Sequence, residues 1–344
     1  MIVTGAAGFI GSSFLRLLFR KNIKMVVVDN LTYAGHEINF EGLTGNPSFD
    51  FIKGDIADRA LMASVFEQHR PKAILNFAAE SSVDRAIASP ELFIHTNILG
   101  THNLLEAAQN YYLKLTDQEK NDFVFLQVST DEVFGSLEEH AQAFSETSSY
   151  SPRSPYSATK AAADHLVKAW FHTFGLPTIV THCSNNYGPR QLPEKLIPRM
   201  ILSALRERSL SVYGSGLNIR DWIHVEDHCD GIWAALMGGK PGESYCFGGG
   251  TERRNIEIIE MICKILDSKQ PRPNGKSYLE LISFVEDRAG HDFRYAVDDS
   301  KARKELNYKP NHQSFEESLA STIDWYLNNR AWIQTVESKV TLFA

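Results

Sequence analysis

Cysteine is scarce in this chain, and the four present, Cys183, Cys229, Cys246 and Cys263, stand far apart. No CxxC pair and no metal-ligand spacing links them. Neither a disulfide framework nor a structural zinc is expected, and reduced thiols in a cytoplasmic protein are. Basic charge is short as well. Lys and Arg number 35 against 42 Asp and Glu, a net charge of −7, and no basic stripe stands out. That balance argues against nucleic acid as a partner. No apolar run approaches the ~18 residues that cross a bilayer, and the first residues enter a strand without a charged and apolar leader, so no membrane partner is expected. Internal repeats and low-complexity stretches are missing too. What remains, 344 residues at 43% hydrophobic, is enough for a large core. It fits one big α/β domain or two unequal ones.

Short apolar, β-rich runs alternate with helix-forming runs through the first half. Segments 2–4, 25–28, 49–52, 73–77, 123–128 and 178–182 read as strands, and 12–19, 61–69, 93–112 and 156–174 as helices. This rhythm predicts a doubly wound parallel sheet. The first strand runs into Gly5-Ala6-Ala7-Gly8-Phe9-Ile10-Gly11. Glycines at that spacing permit a tight turn, a close approach of backbone to a pyrophosphate and tight helix–strand packing. The amino terminus of the following helix then faces the phosphates. The second strand ends at Asp29, whose carboxylate suits two ribose hydroxyls and repels a 2′-phosphate, favouring NAD over NADP. Asp55 follows the third strand and is placed to meet the adenine amine. Ala78 and Ala79 follow the fourth and let a flat cofactor lie against the backbone. Together these describe a Rossmann domain.

The strand at 123–128 delivers Thr130, Asp131 and Glu132 to the crevice at the carboxyl edge of the sheet, where such folds bind ligands. Tyr156 and Lys160 stand four apart at the start of a helix and share a face. An ammonium beside a phenol lowers its pKa and makes it a candidate base. Two adjacent carboxyls near that base can divide a general-acid and a general-base role. A plainer reading exists for each. Ser129 to Glu132 also matches a helix capping box, and a Tyr/Lys pair at helical spacing is common by chance. In 224–228, His224 and His228 stand four apart, but Val225 occupies the position where the zincin pattern has glutamate. No third ligand is evident, so Asp227 is expected to help start a helix and no metal is expected. After Gly188 proline, glycine and arginine become frequent and the βα rhythm weakens. A second, smaller, mixed α/β substrate domain is expected there. The division is 1–187 for the dinucleotide domain, with a returning segment near 220–247, and 188–344 mainly for substrate.

Five stretches, TGAAGFIG (4–11), FAAES (77–81), STDEVFG (129–135), YSATK (156–160) and SNNYGP (184–189), resemble the extended short-chain dehydrogenase/reductase family. Three more, PEKLIP (193–198), RDWIHVEDH (220–228) and DRAGHDFRYA (287–296), resemble its nucleotide-sugar 4,6-dehydratase branch. The resemblance runs from Ile2 to about Tyr326. It implies a hydro-lyase with NAD as cofactor, a nucleotide-diphosphate sugar as substrate (dTDP-glucose first, a UDP-hexose or UDP-N-acetylhexosamine as the alternative) and a homodimer built through helices 93–112 and 156–174. It implies catalysis by Thr130, Asp131, Glu132, Tyr156 and Lys160. Dinucleotide contacts are implied at Gly5, Gly8, Phe9, Ile10, Gly11, Asp29, Asn30, Leu31, Thr32, Asp55, Ile56, Phe77, Ala78, Ala79, Ser81, Thr96, Tyr156, Lys160 and Asn186. Substrate contacts are implied at Ser81, Thr130, Asn185, Lys195, Leu196, Ser211, Val212, Tyr213, Arg220, Asn255, Asp287, Arg288 and His291. Arginines there suit a diphosphate, which takes bidentate, charge-assisted hydrogen bonds.

The sequence departs from the family pattern at Ser82, Phe134, Arg190 and Cys246-Phe247, positions outside the catalytic set. A 4-epimerase of the same family has the glycine loop and the Tyr/Lys pair but gives Asp131-Glu132 no task. A non-catalytic NAD-binding regulator needs no tyrosine base.

Overall fold

The computed structural model describes residues 1–287 and 290–342. Arg288, implied above as a substrate contact, lies outside the described residues. The central sheet has seven parallel strands in the order β10-β6-β5-β4-β1-β2-β3. They are β1 (Ile2–Thr4), β2 (Met25–Asp29), β3 (Phe49–Lys53), β4 (Ala73–Asn76), β5 (Val124–Val128), β6 (Thr178–Cys183) and β10 (Ser244–Phe247). The strand order reverses between β1 and β4, which pair Thr4 with Asn76. A crevice opens at that switch point, outside the carboxyl ends of the strands.

Burial on both faces explains the apolar runs. β1, β2, β4 and β10 are buried at every position. One face carries Phe14, Leu15 and Leu18 of helix Phe9–Arg20 with Ile232 and Ala235 of helix Val225–Gly238. The other carries Leu104, Leu105 and Ala108 of helix Thr101–Tyr112 with Val167 of helix Pro155–Phe174. The Pro155–Phe174 helix is bounded by local chemistry. Ser154 and Ser157 form a reciprocal cap at its start, Pro155 occupies its first turn, and Gly175 closes it at φ 69°.

The single helix expected over 93–112 is three pieces: Pro90–Phe93, a π-helical stretch Ile94–Gly100, and Thr101–Tyr112. Asn97 lies in the π stretch. Its side chain accepts from Glu80 N (2.9 Å) and donates to Glu80 O (3.1 Å) and Thr159 Oγ1 (2.9 Å), tying the segment to the loop after β4. Such π insertions often sit at functional sites.

Past residue 184 the architecture is mixed. β7 (Asn185–Tyr187), β9 (Ile219–His224), β11 (Glu252–Arg254) and β13 (Arg294–Tyr295) form a second sheet, with β9 antiparallel to β11 and parallel to β7 and β13. β8 (Leu210–Tyr213) and β12 (Ile282–Val285) form a parallel pair. A separate core of Ile197, Ile201, Ile258, Ile262, Leu319 and Ile323 lies under them. The doubly wound sheet with a smaller mixed region is therefore as expected. Among the described residues no helix is long and apolar enough to cross a membrane.

Candidate active site

A cleft at the switch point is lined by residues from the ends of β1, β2, β4, β5 and β6. At one end is the glycine loop. Gly5 has φ +69°, and a Cβ on it would lie 2.4 Å from Ala78 N; a Cβ on Gly11 would lie 2.6 Å from Ala6 Cα. Only glycine fits either place. Gly8 caps helix Phe9–Arg20 with no side-chain bond, so the helix amino terminus faces the cleft uncapped by its own sequence. Asp29 is buried and accepts from Ala7 N (2.8 Å) and Leu31 N (2.8 Å). Burial raises its carboxyl pKa, and these two N–H donors oppose the rise. Asp55 accepts from Asn30 Nδ2 (3.0 Å) and Ala57 N (2.8 Å). A cradle closed to any Cβ, an open helix terminus and an acidic residue beyond the second strand fit a dinucleotide.

At the other end, Thr130 caps the short turn Asp131–Phe134 and accepts from Glu132 N (3.3 Å). Ser129 plays no part in that cap. Its hydroxyl donates to buried Asp164 Oδ2 (2.6 Å), so the capping-box reading fails. Asp131 is buried, accepts from Thr130 Oγ1 (3.3 Å), and leaves Oδ2 with no hydrogen-bond partner among the described residues. Burial, then the charges of Glu132 and Asp221, push its pKa well above the usual carboxylate range. Its protonated form is favoured.

Tyr156 is buried against Phe93, Ala86 and Val83, with Thr130 within hydrogen-bonding reach of its phenol. The expected lowering of its pKa by Lys160 is not seen. Burial and then Glu132 raise the phenol pKa, while Lys160 Nζ donates to Val128 O at 2.7 Å. Lys160 is itself buried, and its pKa is lowered for that reason. In the protein alone the phenol keeps its proton, and lowering it takes a positive charge brought by a ligand.

Of the residues singled out from the sequence, the cleft gathers Gly5, Gly8, Phe9, Ile10, Gly11, Asp29, Asn30, Thr32, Asp55, Ile56, Phe77, Ala78, Ala79, Ser81, Thr96, Thr130, Asp131, Tyr156, Lys160, Asn185, Asn186 and Lys195. Leu31, Glu132 and Leu196 do not line it, nor do Ser211, Val212, Tyr213, Arg220, Asn255, Asp287 and His291. Several of these group in the second region. The Tyr213 and His291 rings lie 6.5 Å apart, and His291 Nδ1 is 2.7 Å from Asp287 Oδ1. Arg220 donates to the carbonyls of Ile219 (2.7 Å), Phe293 (3.2 Å) and Asp292 (2.9 Å). Lys195 bridges the cleft, donating to Ser81 O at 3.0 Å.

Glu80, Cys183 and Gln191 also line the cleft and were not picked out from the sequence. Glu80 stood inside the FAAES motif and is buried with a raised pKa; nothing local marked the other two. The departures have structural tasks. Ser82 caps helix Val83–Ala88, Phe134 packs against Phe144, Tyr150 and His182, and the Arg190 guanidinium lies 5.4 Å from the Trp325 ring.

His224 and His228 do not act together. His228 Nδ1 faces Asn186 Oδ1 (2.9 Å), whereas His224 stacks on His312 with ring centroids 3.7 Å apart. His224, Glu226 and His312 bring ligand atoms within 4.8 Å of one another. However, His224 Nδ1 accepts the Glu226 N–H (3.3 Å), which caps helix Val225–Gly238 and leaves the proton on Nε2. Asp227 accepts from Asn311 N, His312 N and His312 Nδ1, fastening the 311–312 loop to the helix start. These contacts describe a structural joint.

A Rossmann sheet with a glycine cradle, an acidic residue ending its second strand and a Tyr-x-x-x-Lys pair beside the cleft defines an extended short-chain dehydrogenase/reductase. The sequence profile of the GDP-mannose 4,6 dehydratase family matches residues 2–322, and the chain belongs to that family. It is 50% identical over 335 residues to the dTDP-glucose 4,6-dehydratase of Xanthomonas campestris, covering 97% of this chain and 95% of the relative. It is 48% identical over 347 residues to dTDP-glucose 4,6-dehydratase 1 of Escherichia coli K12, covering 98% and 95%. Among solved structures it matches DesIV, the dTDP-glucose 4,6-dehydratase of Streptomyces venezuelae with NAD and TYD bound. There the TM-score is 0.88 at 40% identity, covering 97% of this chain and 99% of that one.

Proposed function

We propose that the protein is an NAD-dependent hydro-lyase that converts dTDP-glucose to dTDP-4-keto-6-deoxyglucose. The observation that carries this reading is Thr130 and Asp131 beside Tyr156 and Lys160 in the dinucleotide cleft, with Glu132 next in the same short turn and burial raising the Asp131 pKa. The names of the relatives and of DesIV support the choice of base and sugar. On this reading residues 1–187, with the returning segment near 220–247, hold the dinucleotide, and 188–344 mainly hold the nucleotide sugar.

When bound, NAD supplies the hydride acceptor for C4, the hydride donor for C6 and a positive charge beside the phenol. Tyr156 takes the proton from the C4 hydroxyl, and Lys160, anchored on Val128 O, keeps an ammonium near that reaction. Thr130 donates to the C4 oxygen as it becomes a ketone. The ketone acidifies C5–H, whose proton Glu132 removes, and Glu132 returns a proton to C5 when hydride enters C6. Asp131, whose protonated form burial favours, gives its proton to the departing C6 hydroxyl. Asn186, fixed by His228 and by Gln191 Nε2 (2.8 Å to Asn186 O), forms part of the cleft wall.

The protein works as a cytoplasmic homodimer in this proposal. Ile87, Leu92, Ile94, Leu99, Leu113 and Phe174 are exposed on or beside the helices that pack around Thr101–Tyr112 and Pro155–Phe174. A run of large apolar side chains there suits helix pairing with a second copy.

Incubation with a panel of nucleotide sugars tests the function. A 4-keto-6-deoxy product from dTDP-glucose is expected, with deuterium placed at C4 recovered at C6. Epimerisation at C4 without loss of water overturns the proposal, and dehydration of a UDP sugar in preference to dTDP-glucose overturns its choice of substrate.

A further inference from the structure

The last helix, Arg330–Leu342, begins beyond residue 322, where the family profile ends. It nonetheless reaches the loop after β2. Lys339 Nζ donates to Leu31 O at 2.9 Å and to Gly35 O. Leu31 has φ +54°, the left-handed region, which a leucine adopts only where its surroundings impose it. Its N–H donates to Asp29 Oδ1 at 2.8 Å. The peptide units on both sides of the strained residue are therefore pinned, one by the Asp29 carboxylate and the other by the Lys339 ammonium. Gly35, the second anchor, sits so close that a Cβ on it would lie 2.6 Å from Asp29 Oδ1. The same helix holds the neighbouring turn through Trp332 Nε1, which donates to Asn39 Oδ1 (2.7 Å), and Asn39 Nδ2 in turn donates to Ala7 O in the glycine loop (2.7 Å).

The pinned loop lines the cleft with Asn30, Thr32, Ala34 and Gly35. We propose that Lys339 is a positioning residue for the adenosine end of the dinucleotide site, holding Leu31 and Gly35, and through them Asp29, in the geometry that receives the ribose. This rests on reading the cleft as an NAD site. A flexible lysine at the far end of the chain thus sets the shape of a loop about 300 residues away, and it does so by capping carbonyls rather than by touching reacting atoms.

The test is NAD affinity of the cofactor-stripped protein, measured by titration for the unaltered chain, Lys339→Met, Lys339→Arg and Glu337→Gln. Hydrogen exchange at the amides of 31–36 is followed in parallel. Glu337, on the same helix as Lys339, pairs with Arg206 (2.6 Å), so its variant reports any general effect of disturbing that helix. Losing charge-assisted bonds to two carbonyls should weaken NAD binding about tenfold or more and speed exchange in the loop. Lys339→Arg should fall between, and kcat at saturating NAD should stay within about twofold, since no reacting group is altered. Lys339→Met binding NAD like the unaltered chain, or Glu337→Gln losing as much affinity, overturns the inference. If Lys339→Met does not fold, Lys339→Arg set against Glu337→Gln decides by the same criterion. An unaltered chain that binds no NAD overturns the cleft reading itself.

Discussion

His228 lets the cost of a buried group be worked out and measured. It is wholly enclosed, with Nδ1 at 2.9 Å from Asn186 Oδ1 and Nε2 without a partner among the described residues. Burial pushes its pKa from 6.5 down to about 3. The folded imidazole therefore stays neutral while the unfolded chain takes up a proton. Below pH 6.5 the unfolded state binds more protons, so the stabilisation is complete above that value and is lost as pH falls towards 3. At pH 5.0 the loss is about 2 kcal/mol, reaching ~5 kcal/mol below pH 3. Buried carboxyls act in the opposite sense. Asp221, raised to about 6, favours the fold as pH falls, so the raw pH profile mixes signs. His228→Gln keeps an amide donor for Asn186 and removes only this titration. Urea unfolding at pH 7.5 and pH 5.0 should show the advantage of the unaltered protein over the variant shrinking by about 2 kcal/mol at the lower pH. An equal difference at both pH values refutes the reasoning.

Glu132→Gln should still reduce NAD when dTDP-glucose is added but lose exchange of the C5 proton with solvent. Asp131→Asn should keep oxidation and exchange while losing water roughly 10²–10⁴-fold more slowly, read from single-turnover product analysis; normal dehydration by both variants would make the pair structural. Cofactor extracted from purified protein should be NAD, because a 2′-phosphate beside Asp29 sets like charges together; finding NADP refutes this. Gly5→Ala should abolish retained cofactor, since its Cβ would lie 2.4 Å from Ala78 N at a φ of +69°, and an unchanged NAD content after gel filtration would count against the cradle.

The parallel sheet was legible because strands covered on both faces read as unbroken apolar runs, and the glycine loop because backbone conformation restricts residue type. Sequence failed where a side chain chose a distant partner over a local one. Ser129 turned to Asp164, 35 positions away, instead of capping the next turn. Asn97, in the π-helical stretch, binds Glu80. His224 met His312, and Lys339 met Leu31, across separations that no window of periodicity spans. Helical spacing did set Tyr156 and Lys160 on one face, but it could not say that the ammonium would be held by Val128 O while burial raised the phenol.

The carboxyl pair shows what folding adds to a motif. Sequence pattern alone leaves Asp131 and Glu132 as interchangeable acids, and it is the family resemblance that assigns proton removal to Glu132 and proton donation to Asp131. The turn separates them: Asp131 is buried with an oxygen that has no partner among the described residues, whereas Glu132 is only half-buried. Removing Asp131 from water disfavours its charged form, and the adjacent carboxylate disfavours it further. In the proposed reaction the group whose protonated form is favoured donates to the leaving hydroxyl, and proton removal at C5 falls to its neighbour. Each residue in the pair sets the other's environment, so exchanging them, Asp131→Glu with Glu132→Asp, should cost far more than either conservative change in isolation.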